Sequence, residues 1–77
     1  MNIEEIVIAC AAEAYEVDAA NITLDTDIRE DLSNQSMLMI AFISSIEDET
    51  GANIEIRDAG KMITIRDFVE AVKKQLA

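Results

Sequence analysis

Apolar residues recur at helical spacing in three separate stretches of the chain. These stretches predict α-helices over about residues 3–15, 36–49 and 65–76. Proline is absent and only two glycines occur, one just after the second stretch and one between the second and the third. Residues that break helices are therefore scarce and lie outside the predicted helices, which favours an all-α protein.

The ends of the predicted helices carry capping residues. Asn2 stands before the first helix with Glu5 three residues later, and Gly51 follows the second helix. The third helix opens on Thr64 with Asp67 three residues further on, which is the spacing of a capping box. These residues support the boundaries that the apolar pattern predicts.

One face of each helix is expected to enter a common core. The first helix contributes Ile3, Ile6, Val7, Cys10 and Ala14, and the last contributes Ile65, Phe68, Val69, Val72 and Leu76. The core face of the second helix is Met39, Ile40, Phe42, Ile43 and Ile46, with Met37, Ala41, Ser44, Ser45 and Asp48 opposite and Leu38 near the edge of that outer face. The outer face of the second helix is thus apolar at its N-terminal end.

The segments between these helices complete the predicted fold. Residues 16–35 hold scattered apolar anchors among turn formers and lack helical periodicity over most of their length. Residues 54–56 alternate between apolar and charged side chains, as in an extended link, and a short helical turn is expected near residues 57–62. The sequence therefore predicts a single domain, residues 1–77, that forms a small four-helix bundle with a long loop between helices 1 and 2 and a short helix 3.

Charge is distributed unevenly along the chain. The 16 acidic and 6 basic residues give a net charge of −10, which argues against nucleic-acid binding because phosphates need basic partners. Residues 1–56 hold 13 acids and one base, Arg29, whereas residues 57–77 hold three acids and five bases. A partner guided by charge to the first part of the chain should present Lys and Arg.

Several kinds of site are disfavoured by the residue types present. No histidine occurs, so the commonest general base is absent and an enzyme is not expected. Cys10 lies on an apolar face and is expected to be a buried hydrophobic residue. Asp25 and Asp27 begin like a calcium loop, but the later positions do not fit, so no metal site is predicted. No apolar run is long enough for a membrane span and no signal peptide is apparent, which makes the cytoplasm the expected location.

Ser36 is the residue that could carry chemistry. It is predicted at the N-terminus of the second helix, where free N–H groups and the positive end of the helix dipole favour a phosphate. A serine at such a position is more often only an N-cap. Position alone leaves both roles open.

The order of elements resembles that of the acyl carrier protein family across essentially the whole chain. Glu30-Asp31-Leu32 stands where the family has its Glu-Asp-Leu, and Ser36 follows four residues after Leu32, at the place of the family's modified serine. Ile46-Glu47-Asp48-Glu49 is similar to the acidic end of the family's second helix. The stretch before the last helix matches at Ile54, Ala59, Lys61, Thr64 and Ile65.

This resemblance implies a carrier whose Ser36 receives 4′-phosphopantetheine from coenzyme A and holds acyl groups on the arm as thioesters. The implied partners are a phosphopantetheinyl transferase and acyl-transferring or acyl-condensing enzymes of fatty-acid, polyketide or related biosynthesis. The carrier is expected to be a monomer or to associate weakly. The residues expected to meet partners are Gln35, Met37, Leu38, Ala41, Glu47 and Asp48.

The sequence departs from the family pattern beside the serine. Gln35 replaces an aspartate that in the family helps to hold the metal ion of the transferase, and an amide is a poorer Mg²⁺ ligand than a carboxylate. Leu38 and Ala41 occupy places where the family usually has acids. An alternative interpretation is therefore an interaction protein that has the carrier fold without the prosthetic group and binds a partner through helix 2.

Overall fold

The computed structural model describes residues 2–77 and contains four α-helices in that range. They are α1 (Ile3–Tyr15), α2 (Ser36–Thr50), α3 (Ile56–Ala59) and α4 (Ile65–Leu76). Helix α1 packs against both α2 and α4. No helix among the described residues is long and apolar enough to cross a membrane. The predicted all-α architecture with a short third helix is confirmed.

Three aromatic rings from three helices form the centre of the core. The ring of Phe42 in α2 lies 5.9 Å from that of Tyr15 in α1 and 4.9 Å from that of Phe68 in α4, measured between centroids. Phe42 and Phe68 are fully buried, and Cys10 is buried in the same core, as predicted. Aromatic pairs contribute about 0.5–1.5 kcal/mol beyond the area that they bury. This cluster therefore joins α1, α2 and α4.

Two apolar side chains differ from their predicted positions. Ile40 and Leu76, both expected in the core, are 47% and 45% exposed. Ile40 borders the side of α2 that faces α3, and α3 is a single turn, too short to cover it. Leu76 lies in the last turn of α4, beyond the buried Val72. Leu38, predicted near the outer edge of α2, is half-buried and packs against the core.

The long connection between α1 and α2 contains two helical turns that the sequence did not predict. They are a 3-10 turn, Ala19–Asn21, and a π-type turn, Ile28–Leu32. The carboxylates of Asp18 and Asp27 cap them, accepting a backbone N–H at 2.9 and 3.0 Å, respectively. The connection is therefore ordered by local hydrogen bonds that its apolar periodicity does not reveal.

Backbone hydrogen bonds tie this connection to the start of α4. Residues 24–28 run antiparallel to residues 63–66, and three bonds join the two segments at 2.9–3.2 Å. The bonds are Arg66 N–H to Leu24 O, Ile65 N–H to Thr26 O and Ile28 N–H to Ile63 O. The π-type turn and the residues leading into α2 are thus fixed relative to α4.

The predicted capping residues of α1 and α4 are confirmed. Asn2 Oδ1 accepts the N–H of Glu5 at 3.1 Å. Thr64 and Asp67 form a capping box, in which the Asp67 carboxylate accepts the N–H groups of Ile63 and Thr64 at 2.8 and 3.1 Å. These backbone hydrogen bonds hold the pKa of Asp67 below its usual range.

A second cross-link joins the end of α4 to the segment before α3. The side-chain amide of Gln75 accepts the backbone N–H of Asn53 at 2.8 Å and donates to the carbonyl oxygen of the same residue. Asn53 lies between Ala52 and Ile54, which are both buried. The final turn of α4 therefore holds the chain that leads into α3.

Helix α1 ends on a residue in a strained backbone conformation. Glu16, its C-cap, has φ 55° and ψ 48°, in the left-handed region that glycine adopts most readily. We expect Glu16→Gly to raise the free energy of unfolding by about 0.5–1 kcal/mol, measured by urea denaturation. The same change inside the helix, Glu13→Gly, should lower it by about 1 kcal/mol. Destabilisation by both variants would contradict the strain at Glu16.

Candidate functional site: the cleft beside Ser36

Ser36 is the first residue of α2, and its side chain is exposed. Gln35 occupies the N-cap position, so the capping role that position alone left open for Ser36 is excluded. Neither Gln35 nor Ser36 supplies a capping hydrogen bond to the first turn of α2, and within residues 2–77 the Ser36 hydroxyl has no hydrogen-bond partner. The hydroxyl is thus free to react, beside N–H groups that lack a capping acceptor.

A cleft of about 160 Å³ opens beside this serine. One wall is polar and comes from the connection and the N-terminus of α2, namely Arg29, Ser33, Asn34, Gln35 and Ser36. The other is mainly apolar and comes from Met39 and Ile40 of α2, Ile56 of α3 and Gly60, which follows α3. The cleft therefore offers an apolar surface and a polar surface to any group that is attached at Ser36.

Arg29 connects the two walls. Its guanidinium donates hydrogen bonds to the carbonyl oxygens of Met62 at 2.7 Å and Ala59 at 3.2 Å, at the end of α3 and just beyond it. The side chain is half-buried and forms no ion pair within residues 2–77. In the sequence, Arg29 stands out only as the one base of residues 1–56. Its isolation among acids was the available signal for a role in the site.

The positive charge of Arg29 also reaches the core. Burial raises the pKa of the Tyr15 phenol, and the charge of Arg29 acts in the opposite direction. The Tyr15 hydroxyl is buried and, within residues 2–77, has no hydrogen-bond partner. Burial likewise raises the pKa of the Cys10 thiol, and the neighbouring Ser45 side chain acts in the opposite direction. That thiol is therefore mainly protonated and a weak nucleophile near neutral pH.

The residues expected to meet partners lie along α2 and at its N-cap, and they differ in exposure. Gln35 lines the cleft, and Met37, one residue beyond Ser36, is 77% exposed. Leu38 is half-buried, whereas Ala41 lies exposed on the next turn. Glu47 and Asp48 are exposed at the other end of α2. Ile56 of α3, 61% exposed, adds an apolar side chain to the cleft that the sequence analysis did not identify.

Comparison with known proteins identifies the family. Residues 5–72 match the family described as "Phosphopantetheine attachment site". The chain is 37% identical to an acyl carrier protein of Treponema pallidum over 68 residues, which cover 88% of this chain and 87% of that protein. It is 39% identical to one from Lactobacillus acidophilus over 62 residues, covering 80% and 78%. It is 30% identical to one from Desulforapulum autotrophicum over 76 residues, covering 97% and 99%.

The chain belongs to the acyl carrier protein family. Its prosthetic group is therefore a covalently attached 4′-phosphopantetheine, as the resemblance implied. The residues at the start of α2 fit such a group, because an unbonded hydroxyl lies at the N-terminus of a 15-residue helix, where N–H groups and the helix dipole favour a phosphate. The chain thus has the general role of a carrier.

The uncapped start of α2 in this carrier gives a prediction about stability. Gln35→Asp should place a short carboxylate at the N-cap and raise the free energy of unfolding by about 1 kcal/mol, because Asp caps helices well. Gln35→Glu adds the same charge on a longer side chain and is the matched control, expected to give a smaller gain. Equal stability of the two variants in urea denaturation would show that no capping bond forms.

Proposed function

We propose that Ser36 is the attachment point of 4′-phosphopantetheine and that the protein carries acyl groups between partner enzymes. The observation that carries this proposal is the exposed, unbonded Ser36 hydroxyl at the first position of α2, at the edge of the cleft. The position of this serine four residues after Leu32, as in the family pattern, supports the same assignment.

The residues around Ser36 have distinct roles in this proposal. The N–H groups at the start of α2 favour the phosphodiester. The thiol of the bound arm supplies thioester chemistry for the acyl cargo. Met39, Ile40 and Ile56 offer apolar surface against which an acyl chain loses contact with water. The protein itself supplies attachment and shelter, and the enzymes that it meets supply the catalysis, so we propose that it is not an enzyme.

We further propose which partners use this carrier. They are a phosphopantetheinyl transferase and acyl-transferring or acyl-condensing enzymes of fatty-acid, polyketide or related biosynthesis, in the cytoplasm. Exposed Met37 beside Ser36 and the acids Glu47 and Asp48 at the far end of α2 support docking by an apolar contact together with Lys or Arg of the partner. The carrier is a monomer or associates weakly.

Attachment at Ser36 is tested by intact mass after incubation with coenzyme A and a broad-specificity phosphopantetheinyl transferase. We expect the chain to gain the mass of one phosphopantetheine and Ser36→Ala to gain none. Ser44→Ala removes an exposed hydroxyl from the same helix and should be modified like the parent chain. Gln35→Asp should be modified faster, because a carboxylate is a better Mg²⁺ ligand than an amide.

The outcomes separate the two functions that the sequence left open. A mass gain that persists in Ser36→Ala would contradict the assignment of the site. No gain in either the parent chain or Gln35→Asp would favour the carrier-fold interaction protein that binds its partner through α2. An equal rate of modification for the parent chain and Gln35→Asp would show that this carboxylate is dispensable for the transferase.

The exposed apolar residue next to Ser36 gives a prediction about partner recognition. Met37→Glu should lower kcat/KM for the transferase about tenfold, which corresponds to about 1.4 kcal/mol of lost contact. Ser44→Glu adds the same charge at another exposed position of α2 and should change kcat/KM less than twofold. Both variants should unfold at nearly the parent's urea concentration, because surface substitutions cost little. Equal kinetic losses in the two variants would indicate a general charge effect and no specific contact by Met37.

A further inference from the structure

Arg29 is an isolated cation in the cleft beside Ser36. It is the one base among residues 1–56, which hold 13 acids, yet it pairs with none of the carboxylates of residues 2–77. Its partners are two neutral carbonyl oxygens, those of Ala59 and Met62. A half-buried guanidinium without a counter-ion is unusual in a chain of net charge −10.

The guanidinium also has unused hydrogen-bonding capacity. Arginine offers five N–H donors in a planar fork, and two donors, one from each terminal nitrogen, are engaged here. The remaining donors belong to a side chain that lines the same cleft as Ser36. Carboxylates and phosphates are the groups that such a fork binds best.

We propose that Arg29 is the anion-binding residue of the cleft and pairs with an oxyanion on the arm attached at Ser36. This inference rests on the proposed attachment site. The same chemistry could come from two sources, the phosphodiester next to Ser36 or a carboxylate on the acyl cargo. If the anion is the phosphodiester, Arg29 holds the arm in place next to Ser36. If the anion is a carboxylate on the cargo, Arg29 favours acyl groups with an acidic end.

A chemical test avoids the transferase altogether. Ser36→Cys is prepared in a Cys10→Ala background, so that position 36 holds the single thiol of the chain. Iodoacetate then places a carboxylate close to residue 36, and iodoacetamide places a neutral amide of nearly the same shape. A second pair of thiol-reactive chains, comparable to pantetheine in length, ends in a carboxylate or in an amide. The short pair stands in for the phosphodiester and the long pair for the end of the cargo.

The expected result is a difference in thermal unfolding midpoint within one of these pairs. The carboxylate form should unfold about 4 °C above its amide partner at low ionic strength, and the difference should shrink in high salt. In Arg29→Gln the difference should shrink to the part that the N-terminus of α2 contributes, because the guanidinium is absent. The loss of the bonds from Arg29 to Ala59 and Met62 affects both members of a pair and cancels in the difference.

The pattern of outcomes identifies the anion. A difference in the short pair that shrinks in Arg29→Gln assigns Arg29 to the phosphodiester, and such a difference in the long pair alone assigns it to an acidic cargo. No difference in either pair, or one of undiminished size in Arg29→Gln, would overturn the proposal and leave Arg29 as a support for α3.

A second measurement does not depend on the folding of the Arg29 variant. The nitrogen resonances of the Arg29 guanidinium should shift with the carboxylate arm and not with its amide partner. Equal spectra for both arms would also overturn the proposal. Because neither measurement uses the transferase, failure of enzymatic attachment would count against the proposed function and leave the assignment of Arg29 to be decided by these data.

Discussion

The site depends on the backbone pairing between residues 24–28 and residues 63–66. These bonds join the long α1–α2 connection to the residues at the start of α4. They hold in place a segment whose apolar residues show no regular periodicity. The π-type turn that follows carries Arg29, and only residues 33–35 separate it from the start of α2. Ser36 is therefore positioned by residues far away in the chain, and not by α2 alone.

The cleft exists because α3 is short. A single helical turn leaves Ile40 and Ile56 exposed, at a cost in unburied apolar surface. Arg29 supports this short helix, because its guanidinium donates to the carbonyl oxygen of Met62 and adds a second donor to that of Ala59, which also accepts the N–H of Met62. The protein thus keeps an open apolar surface beside the Ser36 hydroxyl, and Arg29 holds the end of α3 in place.

The features that depend on interactions between residues close together in the chain could be predicted from the sequence. The extents of α1 and α4, the capping box at Thr64 and the burial of Cys10 follow from spacing and side-chain type, and the structure confirms them. The π-type turn was missed because the Asp27 cap and tertiary hydrogen bonds stabilise it, and neither of these produces a periodic pattern of apolar residues. The exposure of Ile40 depends on how much of α2 the short α3 covers, and helical periodicity does not encode that. The placement of Arg29 between two walls likewise requires the fold itself.

The bond pair between Gln75 and Asn53 makes the C-terminal turn part of the cleft's support. One side-chain amide occupies both backbone groups of Asn53, as a neighbouring strand would, and so sets the position of the chain just before α3. Fraying of the last turn of α4 would release Asn53 and slacken the segment that ends in the apolar wall at Ile56. The last turn of α4 therefore restrains the chain that leads to the apolar side of the cleft, so a change at Gln75 would be felt at Ile56.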